Sequence, residues 1–140
     1  MKKNEKGFTL IELLAVIVIL AIIALISTPI VMNVINQSRK KAAEDSAYGV
    51  IEAVKTYHTE KMLNVNAEVS DTLFVKWESA TSVKAGKNSS SLAAVSDLKI
   101  SGSKPQSGSI EIKSDGTIEV KSLKINGYTC SGTDTVTCTN

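Results

Sequence analysis

The stretch Lys6-Gly7-Phe8-Thr9-Leu10-Ile11-Glu12-Leu13-Leu14, running straight on into Ala15-Val16-Ile17-Val18-Ile19-Leu20, decides how the rest of the chain is read. From Leu13 to Ile26 every residue is apolar, and accepting Glu12 and the Ser27-Thr28-Pro29 step extends the run from Phe8 to Met32. A helix of that length, about 25 residues, rises about 38 Å, enough to cross a hydrocarbon core of about 30 Å. Ahead of it stand Lys2, Lys3 and Lys6 against a single Glu5, which reads as a cytoplasmic flank. Arg39, Lys40 and Lys41 put as many positive charges on the other side, so charge counting is a tie. Larger domains cross the membrane largely regardless of their charge, and this places the C-terminal part outside.

Three readings of the apolar run compete: a removed secretory signal, a permanent anchor, and a segment that is processed yet keeps its helix. The apolar core has a signal peptide's length, but Ala24-Leu25-Ile26 lacks the second small residue, and Ser27-Thr28-Pro29 puts proline where the processed chain would begin. Glu12 bears on the choice, because a carboxylate at the centre of a membrane helix costs about 2.5 kcal/mol or more. Either it reaches water at interface depth, or it neutralises a positive charge brought by a neighbouring subunit.

Working outward, the 140-residue chain is one domain's worth, 43% apolar but only 4% aromatic, with a net charge of +2. That balance excludes a strongly basic nucleic-acid binder and an acidic disordered tail. After Pro29 the pattern turns amphipathic. Ala43, Ala47, Val50, Ile51, Val54, Tyr57 and His58 recur at helical spacing, with Arg39, Lys40, Glu44, Glu52 and Lys55 on the opposite side. One helix is predicted from about Phe8 to Met62, ended by Asn64, Asn66 and the polar residues after them.

Strands are predicted at Leu73–Trp77, Ser109–Lys113 and Thr117–Lys121, the last two joined through Ser114-Asp115-Gly116 with Gly116 at a positive-φ position. Leu123 and Ile125 fall out of phase with Val120, which calls for a bulge near Lys121-Ser122 or a new strand. Ile110, Ile112, Ile118 and Val120 form the expected inner face, laid on the Val50/Val54/Tyr57 side of the helix. Residues 80–108, rich in Ser, Gly and Lys, read as loop, with one helical turn at Leu92–Leu98. Cys130 and Cys138 lie near the end of a segment placed outside the cell, and a disulfide is the economical reading. A zinc site would need four ligands, and His58 is the sole histidine.

The residues Lys6 to Leu14 closely resemble the processing site of type IV pilins and pseudopilins: a short basic leader ending in Gly, then Phe, three residues, Glu and an unbroken apolar helix. The resemblance extends over Lys2 to Val54, and from Ile19 to Ser46 it is to pilins of Gram-positive bacteria. It implies an α+β pilin fold, a long N-terminal helix on a small antiparallel sheet. The parts are a leader (1–7), a transmembrane and filament-core helix (8–32), an amphipathic helix (33–62) and a β head (63–140) with a variable loop (80–108) and a C-terminal disulfide loop.

The resemblance further implies that a prepilin peptidase cuts between Gly7 and Phe8 and methylates the Phe8 amine. The Glu12 carboxylate would then pair with the Phe8 amine of an adjacent subunit. Pro29 falls where many pilins carry a proline, and a kink or loosened turn is expected there. The implied partners are copies of the chain, other pilin-like subunits, the membrane, the peptidase, and an assembly ATPase with its platform protein. The subunit would be a single-pass membrane protein with its head outside, and afterwards part of a surface filament for adhesion, motility, DNA uptake or secretion. The rival is an anchored or secreted binding module that assembles nothing.

No catalytic constellation, cofactor motif or metal set is readable. His58 reads as a packing or capping residue, and Asp115 and Glu119 as a hairpin turn and a solvated strand face rather than a calcium loop. Asn88-Ser89-Ser90 matches a glycosylation sequon. Lys84, Lys87, Lys99, Lys104, Lys113, Lys121 and Lys124 make the head locally basic, which suits weak binding of DNA or an anionic surface polymer. With Trp77 the only tryptophan and no aromatic interleaving, specific nucleic-acid readout has no support.

Overall fold

The computed structural model describes residues 7–63, 71–96 and 98–140. The leader up to Lys6 and the expected helix terminators Asn64 and Asn66 lie outside the described residues. The chain divides into two compact units, Met1–Ser38 and Arg39–Asn140. One helix, α1 (Leu10–Leu63), supplies the described secondary structure of the first unit and the helical layer of the second.

In the first unit the apolar residues of α1 are exposed throughout, from Leu10 to Ile35. In the second unit α1 buries Ala43, Ala47, Val50, Ile51, Ala53 and Val54. These recur every three or four residues and so form one stripe. The stripe is covered by a sheet of β1 (Leu73–Ser79), β2 (Ser82–Gly86), β3 (Ala93–Ala94), β4 (Ser107–Ile112), β5 (Ile118–Ile125), β6 (Tyr128–Thr133) and β7 (Thr137–Thr139). The strands lie in the order β3-β2-β1-β4-β5-β6-β7, every pair antiparallel. Ile110, Ile112, Ile118 and Val120 are buried as the alternation predicts, and Tyr57 packs on the same core with Val50 and Val54.

The phase slip in β5 is a bulge. The pairing of β5 with β6 shifts register between Val120 and Leu123, and Ser122 takes a positive φ of 49°. Its N–H donates to Ser131 Oγ at 3.1 Å. One extra residue returns Leu123 and Ile125 to the inner face, where both are fully buried. Gly108 sits opposite, with φ 112°, and a Cβ there would stand 2.5 Å from the Ser122 carbonyl oxygen. The bulge in one strand thus requires a glycine in its neighbour.

Three expectations are corrected. The stretch 80–108 is not simply a loop, because it holds β2 and β3 and runs into β4. The helical turn expected at Leu92–Leu98 is displaced by β3, whose Ala93 and Ala94 pair with Ala85 and Lys84. The hairpin is hidden in sequence because its strands are short and its turn is a serine run. Asn88 organises that turn, its Oδ1 accepting from the N–H groups of Ser90 and Ser91 at 3.1 and 3.0 Å. The C-terminal loop is itself a hairpin, β6–β7, making the sheet seven-stranded.

Candidate functional site

Gly7 and Phe8 precede α1 and are exposed, and a side chain added at Gly7 would meet no neighbouring atom. Thr9 follows as the N-cap. Its Oγ1 accepts from the Glu12 N–H at 3.4 Å, while Glu12 Oε2 accepts from the Thr9 N–H at 2.8 Å and from Thr9 Oγ1 at 2.7 Å. This reciprocal pair is a capping box, and it satisfies amides that a helix start leaves without partners. It also gives the Glu12 carboxylate three-residue-local partners within its own chain. Thr9 was missed by the sequence reading, although Thr-x-x-Glu ahead of an apolar run is the signature of the motif.

Beyond Glu12 the polar groups of the apolar segment are bonded inward. Ser27 Oγ donates to the Ile23 carbonyl and Thr28 Oγ1 to the Ala24 carbonyl, both at 2.7 Å. Such internal pairing is what a helix needs where no water reaches it. Pro29 lies inside α1, with helix on both sides. Among the described residues, α1 is the one helix long and apolar enough to cross a membrane, and the apolar window that qualifies it is wholly unburied.

In the head, Cys130 and Cys138 are joined by a disulfide across β6 and β7. Three of the seven lysines noted in the sequence pair with carboxylates. Lys84 pairs with Glu78 at 2.9 Å, Lys113 with Glu119 at 3.1 Å, and Lys121 with Glu111 and Glu119 at 3.3 and 3.4 Å. The ammonium of Lys113, then that of Lys121, holds Glu119 below the usual carboxylate range, and Lys84 does the same for Glu78. Glu111, then Glu119, raises Lys121. Asp115 serves the β4–β5 turn, its Oδ1 accepting from the Thr117 N–H at 2.9 Å, and that bond lowers its pKa. Gly116 takes φ 85°, as the turn demands. An open groove of about 640 Å³ between α1 and Lys99–Ser101 is walled by Glu52, Tyr57, Glu60 and Lys99, so both signs of charge face it.

An exposed apolar helical segment opened by Gly-Phe-Thr-Leu-Ile-Glu, in a chain with an α+β head, has the features of a prepilin. The prokaryotic N-terminal methylation motif matches residues 2–28, and this supports the type IV pilin family for the chain. The chain is also similar to the fimbrial protein EcpC of Eikenella corrodens, with 39% identity over 61 residues. That match covers 44% of this chain and 40% of the relative, so the chain matches well under half of that protein's length. No solved structure matches.

Proposed function

We propose that the chain is the precursor of a filament-forming subunit, with a structural and not a catalytic role. The observation that carries this reading is the exposed apolar helix with a single carboxylate at its start. Phe8 to Met32 holds an exposed apolar surface, and lipid and the helices of other copies are the two environments that would accept it. The leader 1–7 is removed by a prepilin peptidase between Gly7 and Phe8, and the new Phe8 amine is methylated. Before assembly 8–32 anchors the subunit with the head, 63–140, outside the membrane, and 33–62 forms the helical support of that head. During assembly, driven by an ATPase and its membrane platform, 8–32 leaves lipid and packs among the same segments of neighbouring copies and other pilin-like subunits in a surface filament.

In this scheme Glu12 exchanges partners. Its capping bond to Thr9 is local, and the amine of a neighbour's Phe8 offers a full opposite charge in a low dielectric, where a lone charge is penalised. The pair sets the register between copies. Pro29, which removes one backbone bond, lets the helix adjust as it is extracted.

The test is Glu12→Ala in the native cells. The variant is expected to be cut at Gly7–Phe8, seen as N-methylated Phe8 by intact mass, yet to yield at least tenfold fewer filaments. Normal filament yield would overturn the pairing role. A wild-type chain beginning at Met1 or beyond Ala24 would remove the assembly scheme and leave an anchored or secreted binding module.

A further inference from the structure

The two long sides of the sheet end differently. On one side β3 presents two exposed alanines. On the other lie β7 and, just ahead of it, Val136, and two outward amides there meet side chains of α1 and not solvent. The Val136 N–H donates to Tyr48 Oη at 3.1 Å, and the Cys138 N–H donates to Glu44 Oε1 at 3.2 Å. Both amide-bearing residues are buried. The spacing explains why two side chains suffice. Residues i and i+4 of a helix are separated by about 6 Å along its axis, and residues i and i+2 of a strand by about 6.8 Å. Glu44 and Tyr48 are therefore in step with Cys138 and Val136, taken in the opposite chain direction.

The remaining contacts agree. The Cys138 N–H is spent on Glu44, so Cys130 and Cys138 form a pair that exchanges no backbone bonds, the closer kind of antiparallel pair. Their Cα atoms lie 4.0 Å apart, and a disulfide joins them directly across the strands. Lys40 Nζ stands 3.9 Å from the same Glu44 Oε1 and holds the carboxylate from the helix side. Tyr48 is half-exposed although large and aromatic, which its hydroxyl accounts for: the ring lies at the surface and the tip reaches Val136 at the start of β7.

We propose that Glu44 and Tyr48 act as a surrogate strand, occupying the hydrogen-bonding edge of β7 so that no strand of a second copy can add there. An uncovered edge of this kind is a template for pairing with another chain, and natural sheets block it with charges, bulges or a covering element. Here the cover is two side chains of a helix, and the covered strand is tied by a disulfide to β6 behind it. The inference does not rest on filament assembly and holds for an anchored module equally.

Amide hydrogen exchange on the full chain in detergent micelles tests it, with Leu123 as the internal control because it is buried in the core away from β7's outer edge. Tyr48→Phe, which removes one oxygen, is expected to speed exchange at Val136 at least tenfold. Glu44→Ala should do the same at Cys138, and Glu44→Gln, which keeps an acceptor oxygen, should restore most of the protection. Leu123 should exchange at the wild-type rate in all three. Unchanged rates at Val136 and Cys138, or acceleration equal to that at Leu123, would overturn the proposal, the second by showing mere loss of head stability.

Discussion

Val16 and Val50 belong to the same helix and are the same residue, yet Val16 is 54% exposed and Val50 is wholly buried. Around Val50 the chain brings its own cover, the inner face of the sheet. Around Val16 there is apolar surface on every side and no covering element in the described residues. Apolar composition therefore carries two meanings here. In Arg39–Asn140 it is stability already realised within one chain, and in residues 7–38 it is apolar surface left open among the described residues.

The largest effect expected from that contrast compares one truncation in each unit. Ile110→Ala opens a cavity in the fully buried core and should cost the head about 2–5 kcal/mol. Ile19→Ala removes the same atoms from an exposed site and should leave head unfolding within about 0.5 kcal/mol of wild type. Denaturant unfolding of the full chain in micelles, followed by the fluorescence of the buried Trp77, reads both. An equal loss from Ile19→Ala would break the comparison, because the two units would then share one cooperative core.

A smaller effect sharpens the account of the head. Gly108→Ala and Gly116→Ala both force an L residue to positive φ, but only at Gly108 would the new Cβ run into backbone, at Ser122 and Leu123. Gly116→Ala should cost about 1–2 kcal/mol, the left-handed penalty alone. Gly108→Ala should cost clearly more and should shift the amide resonances of Ser122 and Leu123. Equal costs would mean that the bulge can move without loss.

These particulars also show what was legible beforehand. The apolar run, the amphipathic continuation, the inner-face isoleucines and the phase slip near Ser122 were all readable, because each is a matter of period: unbroken, helical, or alternate with one slip. That the slip is a bulge and not a new strand is decided only by the pairing of β5 with β6. The strands β2, β3 and β7 have no such signal. They are two to five residues long, made largely of Ser, Lys, Ala and Thr, and their pairing is set by neighbours distant in sequence. Thr9 was legible and overlooked, since the capping motif overlaps the residues that drew attention to processing. The Glu44–Cys138 and Tyr48–Val136 bonds span roughly ninety residues and could not have been read from spacing at all.

The smallest effect concerns the charged groups on the outer face of the sheet and its β4–β5 turn. Glu119, Glu78 and Asp115 are held below the usual carboxylate range, the first two by lysines and Asp115 by the Thr117 N–H. A carboxylate whose folded pKa is depressed stabilises the fold fully above its unfolded value, about 4, and loses that contribution as pH falls through the folded value. Lys121, raised by Glu111 and Glu119, works in the opposite sense: its contribution is complete below about pH 10 and is lost as pH rises beyond it. The head should therefore show a flat stability plateau with a shallow fall on each side. All these groups lie at the surface, so the fall should be smaller than that from either glycine substitution. Lys113→Met with Lys121→Met removes both cations facing Glu119 and should make the acid side shallower by Glu119's part, leaving those of Glu78 and Asp115, and abolish Lys121's part of the alkaline side. About 1 M salt should likewise weaken the lysine-dependent part by screening, with a Debye length near 3 Å, but leave the Asp115 part, which rests on a hydrogen bond within its own turn. An acid limb as steep in the double variant as in the wild type would place its origin away from Glu119, at Glu78 beside Lys84 or at Asp115.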